Sequence, residues 1–376
     1  MKIPFNIPYT CNDSSNNVEF LVKNPETISD WVFTQKCKEY FKQKYPEYTA
    51  FMTSSCTRAM ELIALSIGIL PGDEIIMSSY NFVGVANAFS NYGAVLRFTD
   101  IDPETMNIPP ESIKNLINKK TRAVIVMHYG SVACQLNKIK QICDESDVLL
   151  IEDNAQGICA KTDDDRLLGS VGDFSCISFD TLKNIGCSEG GVLLCKNRYV
   201  DKVKICYDNG TNRSAFFKKK VNAYEWIDSG SKFNMPEFNA AVLYPLLIKS
   251  EQIIEERKLK WNTYFNLMLE NPILNKLLPK HQADYKHNAH IFFLKCENKR
   301  QRDALMSYLK KNGIMNSFHY TPLHNSIRGR KLNCSIDKDE YTTLESNKLL
   351  RLPIYNTISD EEIKYVVSKI EAYFTQ

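Results

Sequence analysis

From about residue 49 to residue 200, short apolar runs alternate with amphipathic stretches. Strands are predicted over 49–53, 74–77, 95–98, 123–127, 148–151, 173–179 and 192–195, each a short run rich in β-branched or aromatic residues. Between them the pattern changes to a helical period. Met60, Ile63, Ala64 and Ile67 share one face of a helix over 57–70, ended by Pro71 and Gly72. Further helices are expected over 83–89, 111–118 and 135–145. Strands joined by helices of this length imply crossover connections, hence an α/β fold with a mainly parallel sheet of seven strands. Beyond residue 215 the rhythm shifts. Residues 236–269 read as one or two long helices, and the last hundred residues mix a strand at 291–294 with amphipathic helices at 302–309 and 361–373. This divides the chain into a large domain, 1–250 with its N-terminal segment, and a smaller α+β domain, 251–376.

Composition adds mainly exclusions. The chain has 376 residues and a net charge of +3 from 47 basic and 44 acidic side chains, so no basic stripe suggests a nucleic acid. Lys218, Lys219 and Lys220 form the densest charge run, as solvated loops commonly do. No apolar stretch approaches a membrane span, and the start at Met1-Lys2-Ile3-Pro4 does not read as a signal peptide. Twelve cysteines lie at irregular spacing with no C-x-x-C pair, several inside apolar strands, which fits reduced thiols in a cytoplasmic protein. His287 and His290 have a spacing that suits a metal but lack an acidic or thiol partner, so no metal is expected.

The candidate chemistry rests on Asp153, Gln156 and Lys183. Asp153 closely follows the buried run 148–151, which puts it at the carboxyl edge of the sheet, where open α/β folds bind ligands. Lys183 follows the next strand-like run by a short turn. A buried carboxylate and an amine on adjacent strand ends are the skeleton of a pyridoxal phosphate site. The amine forms a Schiff base with the cofactor, and the carboxylate keeps the pyridine nitrogen protonated so that the ring acts as an electron sink.

With Asp153-x-x-Gln156, Ser178-Phe179-x-x-x-Lys183-Asn184 and Glu189-Gly190-Gly191 in hand, the sequence resembles the DegT/DnrJ/EryC1/StrS sugar aminotransferases, fold-type-I pyridoxal phosphate enzymes. The likeness runs through essentially the whole chain. It takes in Ser54-Ser55-Cys56-Thr57, Pro71-Gly72-Asp73-Glu74, Tyr80-Asn81-Phe82-Val83, Gly210-Thr211-Asn212-Arg213-Ser214 and Phe318-His319-Tyr320-x-Pro322-Leu323-His324, in the expected order. Several motifs are most similar to the branch that aminates dTDP-4-keto-6-deoxyglucose. The resemblance implies that Lys183 carries the cofactor and moves the proton, that Asp153 pairs with the ring nitrogen and that Gln156 contacts the ring hydroxyl. It further implies that Phe82 stacks on the ring, and that Cys56, Thr57 and Ser178 hold the phosphate. Arg213, His319, Tyr320 and His324 are the implied substrate contacts. L-glutamate is the implied donor, and a homodimer with shared sites the implied assembly.

Four departures from the family pattern stand out. Arg58 follows the phosphate-binding Thr57, Ser78-Ser79 precede the aromatic loop, Gly84-Val85 replace a small polar pair, and Lys232 stands near the place of an Asn that the resemblance implies is contributed across the dimer to the cofactor phosphate, either replacing that bond with a charge or lying at the surface. Amination at C3 rather than C4 is a second reading, since 3-aminotransferases share these motifs. A sugar dehydratase is disfavoured, because relatives of that kind replace the lysine by histidine. A non-catalytic sugar-nucleotide-binding protein has no chemical use for Lys183 and Asp153 together.

Overall fold

The computed structural model describes residues 1–279 and 285–375. Its centre is a seven-stranded sheet built from β1 (Tyr48–Thr53), β2 (Glu74–Ser78), β3 (Val95–Thr99), β4 (Thr121–Met127), β5 (Leu149–Asp153), β6 (Phe174–Ser178) and β7 (Gly191–Lys196). The strand order is β1-β7-β6-β5-β4-β2-β3, and β7 alone runs antiparallel to its neighbours. The fold is therefore α/β with a mainly parallel sheet, as the alternation of strands and helices predicts. β2 and β6 are buried throughout because helices cover both faces. The period of two is visible inside β2. Ile75 and Met77 face the layer of helices Cys56–Ser66 and Val83–Ser90, whereas Ile76 faces that of Pro110–Leu116 and Leu136–Glu145.

The helix after β1 stops at Ser66, short of the expected Leu70. Gly68, at φ +66°, turns the chain left-handed, and Ile69 N–H closes back on the Ala64 carbonyl at 3.2 Å while Gly68 N–H reaches Leu65. This is a glycine-terminated helix end that Pro71-Gly72 had masked in the sequence. The long apolar stretch after Pro236 is two helices, Glu237–Ile248 and Ser250–Leu269. Pro245 inside the first has no N–H to give to the Ala241 carbonyl, and the Asn17 side-chain amide donates to that carbonyl instead, at 3.1 Å.

The C-terminal part is a two-stranded antiparallel sheet, β8 (Phe292–Lys295) and β9 (Leu349–Leu352), flanked by helices Lys299–Lys311 and Asp360–Phe374. Its core gathers Phe292, Leu294, Leu350 and Leu352 with Trp261, Tyr264 and Met268 of helix Ser250–Leu269, and also Ile3 from the other end of the chain. The beginning of that same helix, at Ile253, belongs to the core under the large sheet. Between the two cores Arg257 donates to the carbonyls of Ala289, His290 and Ile354 at 2.8, 3.1 and 2.8 Å. Among the described residues no helix is long and apolar enough to cross a membrane.

Candidate active site

The carboxyl ends of β1, β5 and β6 lie side by side with the start of β7, because β7 alone is reversed. This edge and residues from the C-terminal part enclose a cavity of about 530 Å³. Cys56, Thr57, Phe82, Asp153, Gln156, Ser178, Lys183, His319 and Tyr320, nine of the expected site residues, line it.

Each is placed by its backbone. Ser55 caps helix Cys56–Ser66, accepting from Arg58 N–H at 3.2 Å, so the first-turn N–H groups of Cys56 and Thr57 have no partner within the helix and suit an anion. Asp153 ends β5 and is 2% exposed. One carboxylate oxygen accepts from Ala155 N–H at 3.2 Å, and the other has no protein donor among the described residues. Burial raises the Asp153 pKa, against the opposing pull of the Ala155 N–H and the Lys183 amine. Lys183 sits at the end of a turn in which its N–H bonds to the Asp180 carbonyl at 2.9 Å. Burial lowers the pKa of its amine, although Cys56, Asp153 and Asp180 pull the other way. Gln156 is pinned at both ends, its oxygen accepting from Gly130 N–H at 2.8 Å and its nitrogen donating to the Tyr320 hydroxyl at 3.0 Å. Phe82, just before helix Val83–Ser90, leaves its ring 49% exposed, 6.4 Å from the Tyr320 ring. Tyr129 holds His319 Nδ1 at 3.0 Å.

Three expected residues lie elsewhere. His324 is a correction, since both of its ring nitrogens are engaged away from the cavity: Nδ1 with Ser79 Oγ at 2.6 Å and Nε2 with Asp339 at 3.1 Å. That bond gives the unusual Ser79 a structural task. Arg213 lies over the Phe217 ring at 5.2 Å with Asp208 4.0 Å away, and the backbone of Lys232 pairs with that of Asp208 in an isolated β-bridge, both residues outside this cavity of the single chain. Arg58 is paired with Glu61 and lies over Phe233 at 5.5 Å rather than turning into the cavity. The sequence reading missed His290, whose Nδ1 meets Asn184 at 3.1 Å, and Arg351 of β9, both of which line the cavity. Arg351 is the lone charge in the apolar run Leu349-Leu350-Arg351-Leu352, and that isolation was the available signal.

The residues fit pyridoxal phosphate. The helix start and Ser178 suit the phosphate, the free oxygen of Asp153 suits a protonated ring nitrogen, and the Lys183 amine faces the same space. Fold and site together define a pyridoxal phosphate-dependent aminotransferase of fold type I. The chain belongs to the DegT/DnrJ/EryC1/StrS aminotransferase family, whose sequence profile matches residues 15–371. An uncharacterized protein of Methanocaldococcus jannaschii is 30% identical over 356 residues, covering 91% of each chain. Among solved structures, Helicobacter pylori PseC, an aminotransferase of pseudoaminic acid biosynthesis, superposes with TM-score 0.89 at 18% identity over 100% of both chains. DesI, solved with its TDP-sugar product, superposes with TM-score 0.86 at 20% identity over 100% of this chain and 93% of its own. The protein is an aminotransferase of this family, and the family depends on pyridoxal phosphate.

Proposed function

We propose that this enzyme moves the amino group of L-glutamate to the keto carbon of a nucleotide-linked 4-keto-6-deoxy sugar, with dTDP-4-keto-6-deoxyglucose as substrate. The observation that carries the reading is the amine of a half-buried lysine, Lys183, and a buried carboxylate, Asp153, facing one cavity beside a free helix start. When bound, pyridoxal phosphate would supply an aldehyde carbon to carry the amino group between donor and sugar and a ring that withdraws electrons from it. Asp153 holds the proton on the ring nitrogen. Lys183, its proton affinity reduced by burial, takes the α-proton of glutamate and later returns a proton to one face of the sugar carbon. Gln156 and Tyr320, bonded to each other, form a fixed polar wall beside it, and Phe82 presents an aromatic face. The family likeness to the dTDP-sugar branch and the TDP-sugar product named for DesI support the choice of substrate.

The same reading includes a homodimer in which Lys232 and Arg213 serve the partner's cavity. Phe217 and Trp226, 67% and 82% exposed on the segment that carries Arg213, supply apolar surface for such a contact. A particle of twice 43.2 kDa by light scattering is the expected result, and a monomer at working concentration would remove this part of the proposal.

The test of the reaction is an absorbance spectrum of the protein with pyridoxal phosphate, before and after L-glutamate. A visible band that glutamate converts, followed by NMR of the sugar product with nitrogen on C4, is the expected outcome; nitrogen on C3 would reassign the position. Lys183→Ala should lower turnover by at least about 1,000-fold, and near-wild-type transamination by that variant would sink the assignment.

A further inference from the structure

His290 stands just before β8 and lines the cavity together with Lys183, and its carbonyl is held by Arg257 at 3.1 Å. Its ring is fixed from the other side as well. Asn184 donates through Nδ2 to the Asn288 carbonyl at 2.8 Å, so its Oδ1 is the atom that meets His290 Nδ1 at 3.1 Å. An amide oxygen only accepts. The ring proton is therefore on Nδ1, and Nε2 is a bare acceptor. Asn288 is anchored in turn, donating to the carbonyls of Gln156 and Ile158 at 2.8 Å each. A second ring proton is opposed here. Burial first, then the neighbouring Lys183, Arg351, Arg257 and His319, hold the His290 pKa well below its ordinary 6.5, and none of these neighbours is a carboxylate. Among the described residues nothing bonds to Nε2, whereas His128 and His324 have both ring nitrogens engaged. A buried acceptor left unmet is a cost that a donor arriving in the cavity removes.

We propose that His290 is a positioning residue for Lys183: its Nε2 accepts an N–H of the lysine amine whenever that amine is free of the cofactor. The inference rests on the role of Lys183 proposed above. Three donors share the cavity with His290, and two of them are already held. Arg351 lies over the Phe5 ring at 4.9 Å, and His319 is bonded through Nδ1 to Tyr129 at 3.0 Å. The Lys183 amine has no hydrogen bond of its own among the described residues. Moreover, the ring of His290 is tied to Asn184, the residue that follows Lys183 in the chain. A lysine amine rides on a flexible four-carbon stem, and when uncharged it has two N–H groups and one lone pair. Giving one N–H to Nε2 fixes where the lone pair points, which is what removing a proton from one particular carbon demands. The bond also supports the charged amine, as Cys56, Asp153 and Asp180 do, against the larger effect of burial and that of Arg351.

Two variants separate the two ring nitrogens, because an Asn amide takes the place of Nδ1 and a Gln amide that of Nε2. His290→Asn keeps a partner for Asn184 and loses the acceptor; His290→Gln does the reverse. The first readout is the pH dependence of pyridoxal phosphate capture by the cofactor-free protein, followed by the visible band, since only the uncharged amine attacks the aldehyde. Without the acceptor the charged amine loses support. The midpoint of the rise should therefore move down by about half to one pH unit in His290→Asn and stay near wild type in His290→Gln. The second readout is conversion of that band by L-glutamate. It should slow about 10- to 100-fold in His290→Asn, with a larger isotope effect from 2-deuteroglutamate, and return to within about fivefold of wild type in His290→Gln. The opposite order of the two variants, or equal behaviour of both, would overturn the proposal. Should neither variant fold, nitrogen NMR of wild-type protein with labelled histidine decides it. A bare His290 Nε2 whose resonance moves when the cofactor takes up the lysine is expected; a proton on Nε2, or a resonance that stays put, would overturn the inference alone. Wild-type protein that captures no pyridoxal phosphate would instead bring down the reading of the site, and this inference with it.

Discussion

Gly191 opens β7 opposite both Thr53 of β1 and Ser178 of β6. A Cβ there would stand 2.5 Å from the Cys56 nitrogen and from the Ser55 carbonyl carbon, which are backbone atoms that cannot swing aside. The absent side chain is what lets the reversed strand pass beneath the helix start proposed to hold the phosphate. Gly191→Ala should therefore cost about 1–3 kcal/mol of stability through overpacking and weaken cofactor binding together. Urea denaturation and a fluorescence titration with pyridoxal phosphate check it, and a variant with unchanged affinity would separate Gly191 from the phosphate site. At this scale the sequence was readable in proportion to how local the signal was. Asp153 closely follows the apolar run 148–151, so its place at a sheet edge follows from pattern alone, whereas Ser178 was implied only by the family likeness. His324 looked equally promising beside His319 and Tyr320, but its fate depends on Ser79 and Asp339, which only the folded chain brings to its two nitrogens. Arg351 was hidden for a related reason, since a four-residue strand carrying one charge acquires its meaning only when paired with β8.

Among the elements, β5 carries its chemistry on one face and its anchorage on the other. Glu152, next to Asp153, is fully buried and accepts from the N–H groups of Gly169, Val171 and Gly172 at 2.8, 2.8 and 2.7 Å. His128 Nε2 is 2.9 Å from the same carboxylate, while its Nδ1 accepts from Cys134 N–H at 3.2 Å, which assigns the ring proton to Nε2. Burial alone would raise the Glu152 pKa, but the His128, Gly172 and Val171 bonds outweigh it and hold the carboxyl below its ordinary value of 4.5. A carboxylate with a depressed folded-state pKa stabilises fully above its unfolded value, and that stabilisation is lost as pH falls through the folded one. Glu152→Gln replaces an acceptor oxygen with a donor facing N–H groups and should cost about 1–3 kcal/mol at neutral pH. The gap to wild type should narrow as pH drops below about 4.5, in denaturation series at matched pH. A gap that stays constant on acidification would mean that the charge contributes nothing. The alternation of strands and helices was legible here, but this network was not, because the three N–H groups lie in a loop with no apolar period.

For the whole molecule, the cavity lies between the edge of the large sheet and residues of the C-terminal part. Lys183 and Asp153 come from the large sheet, while His290, His319, Tyr320 and Arg351 come from the C-terminal part. Neither part contains the site alone, so their relative position must be held firmly. Helix Ser250–Leu269 does this as a single rod of 20 residues, about 30 Å long, with Ile253 in one core and Trp261, Tyr264 and Met268 in the other. Ile3 reaches the second core from the opposite end of the chain and locks the arrangement. Two cores threaded on one rod cannot melt separately without breaking the rod or stripping one of its faces. Heating should accordingly give one calorimetric transition rather than two, and a protease should release no C-terminal piece that keeps its shape. A second, well-separated heat peak would show that the rod gives way in its middle.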